Sequence, residues 1–283
     1  MSEKCVNSCS IAAKVHIFSD YCVPLCIIYR KHLSNFVPNP FFQFKQFTVH
    51  HDRCAMKVGT DGVLVGAWAD VGNVRRIIDI GTGTGLIALM LAQRCPQATV
   101  LGIDIDTNAV SQARENVEKS PFGNRVEIEH IAVQDLAVRH EPAFDLAVSN
   151  PPFFSRSLHS PARARTIARH TELLPLESLF ASAAQLLSEE GRFSVIYPIS
   201  NLPEVLDYAA QHGFFLHRQS TVFPIPKAPP KRVLLEFSKQ YRFALVYNEL
   251  VIETERHRYS EDFRTLVKDF YFSSSLAKYM TKI

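Results

Sequence analysis

A rigid tetrapeptide, Asn150-Pro151-Pro152-Phe153, is separated by Ser149 alone from the apolar run that extends from Phe144 to Val148. The two prolines fix their own φ angles and lack amide donors, so they hold the neighbouring carbonyl groups in set directions. The Asn150 side-chain oxygen and the Pro151 carbonyl can each accept one hydrogen from an exocyclic amino group, while Phe153 stacks on the ring that carries it. This set predicts a site that aligns an amine for attack on an electrophile and needs no strong base.

A glycine-rich segment, DIGTGTG, runs from Asp79 to Gly85, and Asp79 and the three glycines are predicted to bind a cofactor. Gly81, Gly83 and Gly85 let the backbone turn sharply and approach a ligand closely. A dinucleotide fingerprint requires glycine at the sixth position, where this chain has Leu86. The segment therefore favours a ligand without a pyrophosphate, such as S-adenosylmethionine. Taken alone, the tetrapeptide is better explained as a rigid turn, and it is the glycine segment that favours the chemical interpretation.

Acidic residues follow the next two predicted strands. Asp104 is placed to accept hydrogen bonds from both ribose hydroxyls of a cofactor, with Ile105 beside it. Asp106 is the alternative for this role, although it can also cap the following helix. Asp135 is predicted to meet the adenine amino group of the cofactor, and a solvated turn aspartate is the alternative.

Short β-branched runs alternate with amphipathic stretches from residue 76 onward. The pattern predicts strands at 76–80, 99–103, 126–130, 144–149 and 192–197, and helices at 84–94, 108–119, 176–188 and about 202–212. This alternation indicates an α/β fold of the Rossmann-like type, in which a mostly parallel sheet has helices on both faces. Ligands of such sheets bind at the carboxyl ends of the strands.

The alternation ends after residue 213. Residues 214–223 and 233–237 read as two strands joined by a proline-rich turn, and without a helix between them they must be antiparallel. The predicted sheet thus has seven strands and closes with an antiparallel hairpin. A smaller hairpin is expected at 241–252 and a last helix at 260–272.

The composition is that of an ordinary globular protein. The chain has 283 residues, of which 47% are hydrophobic and 21% charged, and its formal net charge is +3. We predict an N-terminal extension at residues 1–40, poorly ordered, followed by one domain at 41–283. No apolar run approaches the roughly 20 residues of a membrane span, and the expected location is the cytoplasm.

Four of the six cysteines lie in the extension. Cys5 and Cys9, like Cys22 and Cys26, are separated by three residues, a spacing that resembles a zinc site only loosely. Free thiols in a reducing cytosol are the preferred interpretation. We therefore predict no metal.

Basic residues cluster in two segments beyond the tetrapeptide. Both are predicted to contact RNA phosphates, and a solvated loop is the alternative. The predicted RNA-binding residues are Arg156, Arg163, Arg165, Arg169, Lys227, Lys231 and Arg232.

The segments DIGTGTGLIAL, GIDID and NPPF together resemble class I S-adenosylmethionine-dependent methyltransferases that act on amino groups. The upstream segment FKQFTVHHDRCAMKVGTDGVLVGAW, with PPKRVLLEF and FRTLVKDFYF downstream, is similar to the bacterial valine-tRNA adenine-N6 methyltransferase family. The resemblance covers residue 41 to the end. It implies that adenine 3′ of the anticodon, at position 37, is methylated, and that Lys57, Gly59, Thr60 and Asp61 shape the cofactor pocket.

Three alternatives remain open at this stage. The Asn-Pro-Pro-aromatic signature also serves methylation of glutamine in release factors and of guanine amino groups in ribosomal RNA. A non-catalytic RNA-binding module with a relic pocket is the second alternative, and a nicotinamide-dependent oxidoreductase is the third. The basic clusters favour tRNA as the partner, and no obligate protein partner is predicted.

Overall fold

The computed structural model describes residues 39–54, 57–139, 143–152, 174–241 and 244–277. The predicted extension, with its four cysteines, lies outside the described residues except for its last two positions. Phe153 also lies outside them. The same holds for four of the predicted RNA-binding residues, which are Arg156, Arg163, Arg165 and Arg169. No helix in the described ranges is both long and apolar enough to cross a membrane.

The described elements follow one another along the chain as short strands and helices. The strands are β1 Phe41–Gln43, β2 Thr48–His50, β3 Arg76–Ile80, β4 Thr99–Asp104, β5 Val126–His130, β6 Phe144–Ser149, β7 Leu187–Pro198, β8 Phe215–Phe223, β9 Arg232–Ser238, β10 Val246–Val251, β11 Glu253–Glu255 and β12 Arg258–Tyr259. The helices are α1 Thr60–Trp68, α2 Leu86–Arg94, α3 Thr107–Glu118, α4 Val133–Arg139, α5 Leu176–Leu186, α6 Leu202–Gln211, α7 Glu261–Val267 and α8 Ser273–Ala277. A short 3₁₀ turn, Ile199–Asn201, precedes α6.

Eight of the described strands form one sheet in the order β10-β8-β9-β7-β6-β3-β4-β5. Strand β9 is antiparallel to β7 and β8, and the other pairings in this sheet are parallel. The predicted mostly parallel sheet with an antiparallel pair near one end is confirmed, with eight strands where seven were expected. The carboxyl ends of β3, β4 and β6 therefore meet at one edge, where ligands of such sheets bind.

Helices cover both faces of the sheet. Helices α1, α2, α3 and α7 pack on one face, where Leu64, Leu89 and Phe263 belong to one buried cluster. Helices α4, α5 and α6 pack on the other, where Leu136 and Phe180 belong to a second buried cluster. The two-faced arrangement that the alternating sequence pattern predicts is confirmed.

Helix α1 was not predicted from the sequence. Gly62, Gly66 and the two valines between them are weak helix formers. Seven of its nine residues are nevertheless buried, so packing rather than intrinsic propensity stabilises the helix. A Cβ atom added at Gly66 would lie only 2.9 Å from the Met90 sulfur, which shows how closely α1 approaches α2.

Arginine side chains hold the C-terminal end of α1. Arg94 Nη1 donates hydrogen bonds to the carbonyl oxygens of Gly66 and Ala69, at 2.9 and 2.7 Å. Arg218 Nη2 donates to the Trp68 carbonyl, and its guanidinium carbon lies 3.7 Å from the centre of a Trp68 ring. Cations at this end of a helix satisfy its last carbonyl groups and oppose its dipole. Because its C-terminal end is fixed in this way, the N-terminal end of α1 lies at the edge formed by the carboxyl ends of the parallel strands.

The region after β9 differs from the expectation. The hairpin predicted at 241–252 is wrong, because β10 joins the main sheet and pairs in parallel with β8. A hairpin is present one element later, between β11 and β12. The helix predicted at 260–272 is shorter and ends at Val267, and Ser260 caps it by accepting a 3.0 Å hydrogen bond from the Phe263 amide.

Candidate active site

The glycine segment and the tetrapeptide leave the sheet side by side. Strands β3 and β6 are parallel neighbours, with Ile80 opposite Ser149. The Ser149 hydroxyl donates a 2.8 Å hydrogen bond to the Ile80 carbonyl and ties the two strand ends together. The next residues on these strands are Gly81 and Asn150, so the structure brings the two predicted motifs to one place.

The Asn150 side chain ends in a buried oxygen atom that has no hydrogen-bond partner among the described residues. Helix α1 passes beside it, since a Cβ atom at Gly62 would lie 3.8 Å from Asn150 Nδ2. Pro151, the next residue, is buried. An acceptor buried without a partner costs about 1–3 kcal/mol, and a bound amino group would offset this cost. Asn150 is therefore a candidate for contact with a substrate.

The three glycines of the loop all have positive φ angles, of 73°, 57° and 80° for Gly81, Gly83 and Gly85. A Cβ atom at Gly81 or Gly83 would have no atom of another described residue within 4 Å, apart from the adjoining residues of the chain, so these positions border open space in the described part of the chain. At Gly85 a Cβ atom would lie 3.4 Å from the Ala113 side chain on α3. Two of the glycines thus leave room for a ligand, whereas the third allows the close packing of α3.

The Asp104 carboxylate accepts backbone hydrogen bonds at both oxygens. Gly83 donates to Oδ2 and Asp106 to Oδ1, each at 2.9 Å. A carboxylate has about four lone-pair sites, so each oxygen keeps one for a ribose hydroxyl. Asp106 caps α3 by accepting a 2.8 Å hydrogen bond from the Asn108 amide. Because Asp106 serves as the helix cap, Asp104 is the better candidate for the ribose ligand. The carbonyl of Ile105, which lies between the two aspartates in sequence, is 2.9 Å from His130 Nε2.

Asp79 is buried beneath the glycine loop and holds its shape. Its Oδ2 accepts hydrogen bonds from the Thr82 hydroxyl at 2.6 Å and from the Ala88 amide at 3.1 Å. Burial raises the pKa of the Asp79 carboxyl to about 7, although both hydrogen bonds oppose this change. This value includes a smaller increase from the negative charge of Asp104. Asp79 therefore stabilises the conformation of the glycine loop from inside the protein core.

The segment from Lys57 to Asp61 leads into α1. Lys57, Gly59 and Thr60 are exposed, and Gly59 precedes the helix without a side-chain cap. Asp61 is half-buried, and its Oδ2 lies 2.8 Å from Nε of Arg232 at the start of β9. The structure thus pairs a residue predicted to shape the cofactor pocket with one predicted to bind RNA.

Pro152 is half-buried, whereas Asp135, Lys227 and Lys231 are exposed. Asp135 lies in the first turn of α4, just beyond the end of β5. Lys227 and Lys231 lie in the turn between β8 and β9, and Lys227 has a positive φ of 65°. These positions are all at the carboxyl edge of the sheet, as the sequence predicts. Their roles stay predictions.

Asn116 on α3 was missed by the sequence reasoning. It is fully buried and donates 2.9 Å hydrogen bonds to the carbonyls of Thr84 and His50, while its Oδ1 accepts one from the His50 amide at 3.0 Å. It therefore ties the glycine loop to β2. A polar residue on an amphipathic helix usually faces solvent, so nothing in the sequence distinguishes Asn116 from its neighbours.

Cys54 lies in the segment that follows β2. Burial, together with the negative charges of Asp104 and Asp106, raises the pKa of its thiol to about 12. This segment therefore lies close to the predicted ribose ligand. At neutral pH the thiol stays protonated and is not a nucleophile.

The comparisons with known proteins agree with this geometry. The model of the family described as "Methyltransferase small domain" matches residues 61–208. A curated tRNA1(Val) (adenine(37)-N6)-methyltransferase from Phocaeicola vulgatus is 52% identical over 241 residues, which cover 84% of this chain and 100% of that protein. The chain belongs to the tRNA1(Val) (adenine(37)-N6)-methyltransferase family. The family resemblance inferred from the sequence motifs is confirmed.

Other members of the tRNA1(Val) (adenine(37)-N6)-methyltransferase family match to a similar extent. The protein from Parabacteroides distasonis is 48% identical, over 82% of this chain and 98% of that protein. The protein from Trichodesmium erythraeum is also 48% identical, over 81% of this chain and 97% of that protein. Among solved structures, one described as a predicted O-methyltransferase from Agrobacterium tumefaciens has a TM-score of 0.60 at 19% identity, covering 74% of this chain and 96% of that chain. That likeness supports the Rossmann-like fold alone.

S-adenosylmethionine is the methyl donor of this methyltransferase. The residues of the carboxyl edge fit such a cofactor. Among the described residues, no side chain beyond their chain neighbours would lie within 4 Å of a Cβ atom at Gly81 or Gly83. Asp104, which ends the neighbouring strand β4, keeps lone pairs for two ribose hydroxyls after accepting its backbone hydrogen bonds.

Proposed function

We propose that the chain methylates the N6 amino group of adenine 37, immediately 3′ of the anticodon, in a valine tRNA. The identity to curated tRNA1(Val) (adenine(37)-N6)-methyltransferases supports this substrate. The observation that carries the chemistry is the buried Asn150 oxygen, which has no hydrogen-bond partner among the described residues and stands beside the glycine loop. A primary amino group on a planar base supplies the donor that this acceptor lacks.

The cofactor side of the site is formed by the loop and the two flanking strands. When bound, S-adenosylmethionine supplies an electrophilic methyl group on a sulfonium centre. In this proposal Asp104 accepts hydrogen bonds from the ribose hydroxyls, and the backbone at Gly81 and Gly83 approaches the methionine portion without steric hindrance. Asp135 meets the adenine amino group. Lys57, Gly59, Thr60 and Asp61 border the pocket at the start of α1.

The substrate side of the site is formed by the tetrapeptide. The Asn150 oxygen and the Pro151 carbonyl each accept one hydrogen of the adenine amino group, which directs the nitrogen lone pair toward the methyl group. The two carbonyl dipoles stabilise the positive charge that develops on this nitrogen. The nitrogen needs no base before the attack, since its extra proton is released to solvent afterwards. Pro152 keeps the turn rigid, and Phe153 is proposed to stack on the purine.

Basic residues around this edge would bind the tRNA backbone. Lys227 and Lys231 are exposed in the turn between β8 and β9, and the segment with Arg156, Arg163, Arg165 and Arg169 follows the tetrapeptide in sequence. Phosphate contacts of this kind are independent of sequence and weaken with salt. A base in a single-stranded loop is turned outward at a cost of a few kcal/mol. Because tRNA is its substrate, we place the enzyme in the cytoplasm.

Mass spectrometry of nucleosides tests this function. The protein is incubated with S-adenosylmethionine and, in separate reactions, a valine tRNA transcript, ribosomal RNA and a release factor. We expect N6-methyladenosine in the tRNA reaction, and its absence from a transcript with guanine at position 37. Methylguanosine in ribosomal RNA or methylglutamine in the release factor, without product in tRNA, would instead support the alternatives. No product in any reaction would favour a non-catalytic module.

A further inference from the structure

A second pocket lies at the same edge of the sheet, on the other side of the first turn of α1. Its volume is about 240 Å³, and it is bordered by Thr60 and Asp61, by the ends of β8 and β9, and by the segment around α7. About 15 Å³ on the same measure is enough for one water molecule. The pocket therefore has room for a group as large as a nucleobase.

One wall of this pocket is aromatic. Tyr259, Phe263 and Tyr271 line it, and the Tyr259 and Phe263 ring centres lie 4.7 Å apart with their planes tilted by 37°. Phe263 is buried, whereas both tyrosines are half-buried. Aromatic rings of this kind form stacking platforms for bases of single-stranded nucleic acids.

The opposite side of the pocket is polar and carries both signs of charge. The Arg232 guanidinium pairs with the Asp61 carboxylate at 2.8 Å. Lys231 is exposed next to it, and no carboxylate among the described residues pairs with Lys231. Glu253 adds a second carboxylate. A nucleobase presents hydrogen-bond donors and acceptors around a planar ring, so it matches this combination better than a phosphate or an aliphatic group does.

The pocket is separate from the glycine loop and adjacent to the substrate site, and it shares Thr60 and Asp61 with the segment proposed to border the cofactor. Strands β9 and β3 are three positions apart in the sheet, which corresponds to about 14 Å at the usual strand spacing. Asp61 lines the pocket, whereas the next residue, Gly62, faces Asn150, with a distance of 3.8 Å between its added Cβ atom and Asn150 Nδ2. The first turn of α1 thus lies between the pocket and the Asn150 amide that is proposed to bind the target amino group.

We propose that this pocket binds the base of a nucleotide next to the target adenine in the same RNA loop. The proposal rests on the proposed function, because the target must lie in a single-stranded loop whose neighbouring bases can turn outward. Tyr259 stacks on the neighbouring base, and Lys231 and the Asp61–Arg232 pair contact its edge. Binding of two outward-turned bases on either side of α1 selects an RNA loop over a free nucleoside.

Binding of stem-loop RNAs to the full-length protein tests this proposal. Dissociation constants are measured for the wild type and for Tyr259→Leu, using the anticodon stem-loop and versions in which one base beside the target adenine is removed while its sugar and phosphate remain. We expect Tyr259→Leu to weaken binding of the intact stem-loop about tenfold, with Tyr259→Phe close to the wild type. Tyr241→Leu is the matched control, because Tyr241 is exposed at the far end of β9.

The decisive measurement is the dissociation constant of Tyr259→Leu for the stem-loop that lacks one base, compared with the effects of the two changes made separately. If Tyr259 stacks on a base, removal of that one base weakens wild-type binding about tenfold and has no further effect on Tyr259→Leu, since both changes remove the same contact. Additive losses at every position, or unchanged binding by Tyr259→Leu, would overturn the proposal. For Tyr259→Leu, the dissociation constant of S-adenosylmethionine should stay within about twofold of the wild-type value. The melting temperature should stay within a few degrees of that of the wild type. Methylation of adenine 37 by the wild type is measured separately, so a failure of the proposed function is recognised independently.

Discussion

The Gly83 amide donates a 2.9 Å hydrogen bond to Oδ2 of Asp104, and so links the loop after β3 to the end of β4. Asp104 thus has two effects on the site. It accepts the hydrogen bond that holds the glycine loop, and in the proposed function its remaining lone pairs accept hydrogen bonds from the cofactor ribose. Removal of the carboxylate should therefore affect cofactor binding both directly and through the loop.

Replacement of Asp104 tests the assignment of the ribose ligand. Asp104→Ala should raise the dissociation constant of S-adenosylmethionine about 100-fold, because hydrogen bonds to a charged group contribute about 1.5–3 kcal/mol each. Isothermal titration calorimetry measures this change. Asp106→Asn is the control, since Asn caps α3 as well as Asp does. Unchanged affinity in Asp104→Ala together with a large loss in Asp106→Asn would transfer the ribose role to Asp106.

Asn150 should affect turnover far more than cofactor affinity. Removal of one acceptor from a preorganised site costs about 10²–10³-fold in rate, so Asn150→Ala should lower kcat by that factor with saturating tRNA and S-adenosylmethionine. The cofactor dissociation constant should change less than twofold. Single-turnover assays and calorimetry measure the two quantities. A large loss of cofactor affinity would show that Asn150 binds the cofactor rather than the base.

Gly62 tests whether α1 positions Asn150. A Cβ atom at Gly62 would lie 3.1 Å from Leu86 Cδ2 and 3.8 Å from Asn150 Nδ2, so Gly62→Ala should displace one of these side chains. We expect kcat to fall several-fold without loss of stability, because Ala is the better helix former by about 1 kcal/mol. Gly72→Ala is the matched control, since Gly72 is exposed in the turn after α1 and the nearest atom to its added Cβ would be the Asp70 Oδ1, at 3.3 Å. Equal rates in the two variants would contradict a positioning role for α1.

The central βα units could be predicted because their signals are local. Strands β3, β5 and β6 begin and end where the apolar runs and flanking turns indicate. Strand β10 could not be predicted in the same way. Its parallel pairing with β8 joins Val246 to Arg218, and nothing between those positions specifies which edge of the sheet the chain returns to. The register is set by tertiary contacts rather than by the sequence pattern of β10.

The candidate site likewise contains some residues that could be predicted from the sequence and others that could not. Gly81, Gly83 and Asp104 were predicted because the loop and the acid follow strands in a recognisable spacing. Gly62 and Asn116 were not, because their roles depend on contacts made across long sequence separations. Asn116 joins His50 to Thr84, and each of these three residues looks ordinary within its own segment. The pairing of Asp61 with Arg232 has the same origin.

Glu236 should be essential to stability although it lies far from the site. Its carboxylate is fully buried, accepts hydrogen bonds from the Ser194 hydroxyl at 2.8 Å and the Asp70 amide at 3.0 Å, and lies 3.9 Å from Arg218 Nη1. Glu236→Ala should lower the free energy of unfolding by about 3–5 kcal/mol, because it leaves Arg218 without its counter-charge. Urea unfolding measures this loss.

An exposed ion pair is the control for Glu236. Glu255 pairs with Arg258 at 3.1 Å, with side chains that are 67% and 55% exposed. Glu255→Ala should therefore change the free energy of unfolding by less than about 1 kcal/mol. Similar losses in the two variants would show that burial of the Glu236 pair has no special effect.

The buried carboxyl of Asp79 should make stability depend on pH near neutrality. Burial raises its pKa from 3.8 to about 7 in the folded state, against the opposing hydrogen bonds of Thr82 and Ala88. Between these two values the folded chain holds a proton that the unfolded chain has released. The contribution of Asp79 therefore stabilises the folded state as pH falls through about 7, and this stabilisation is lost as pH rises.

Asp79→Asn removes this titration while it keeps the size of the side chain. Urea unfolding of both proteins between about pH 5.5 and about pH 8.5 should show the wild type losing about 2 kcal/mol relative to the variant as pH rises. Because the other titrating groups are common to both proteins, their contributions cancel in the difference. A difference that stays constant over this range, or that changes in the opposite direction, would mean that Asp79 is already ionised in the folded protein at the lower pH.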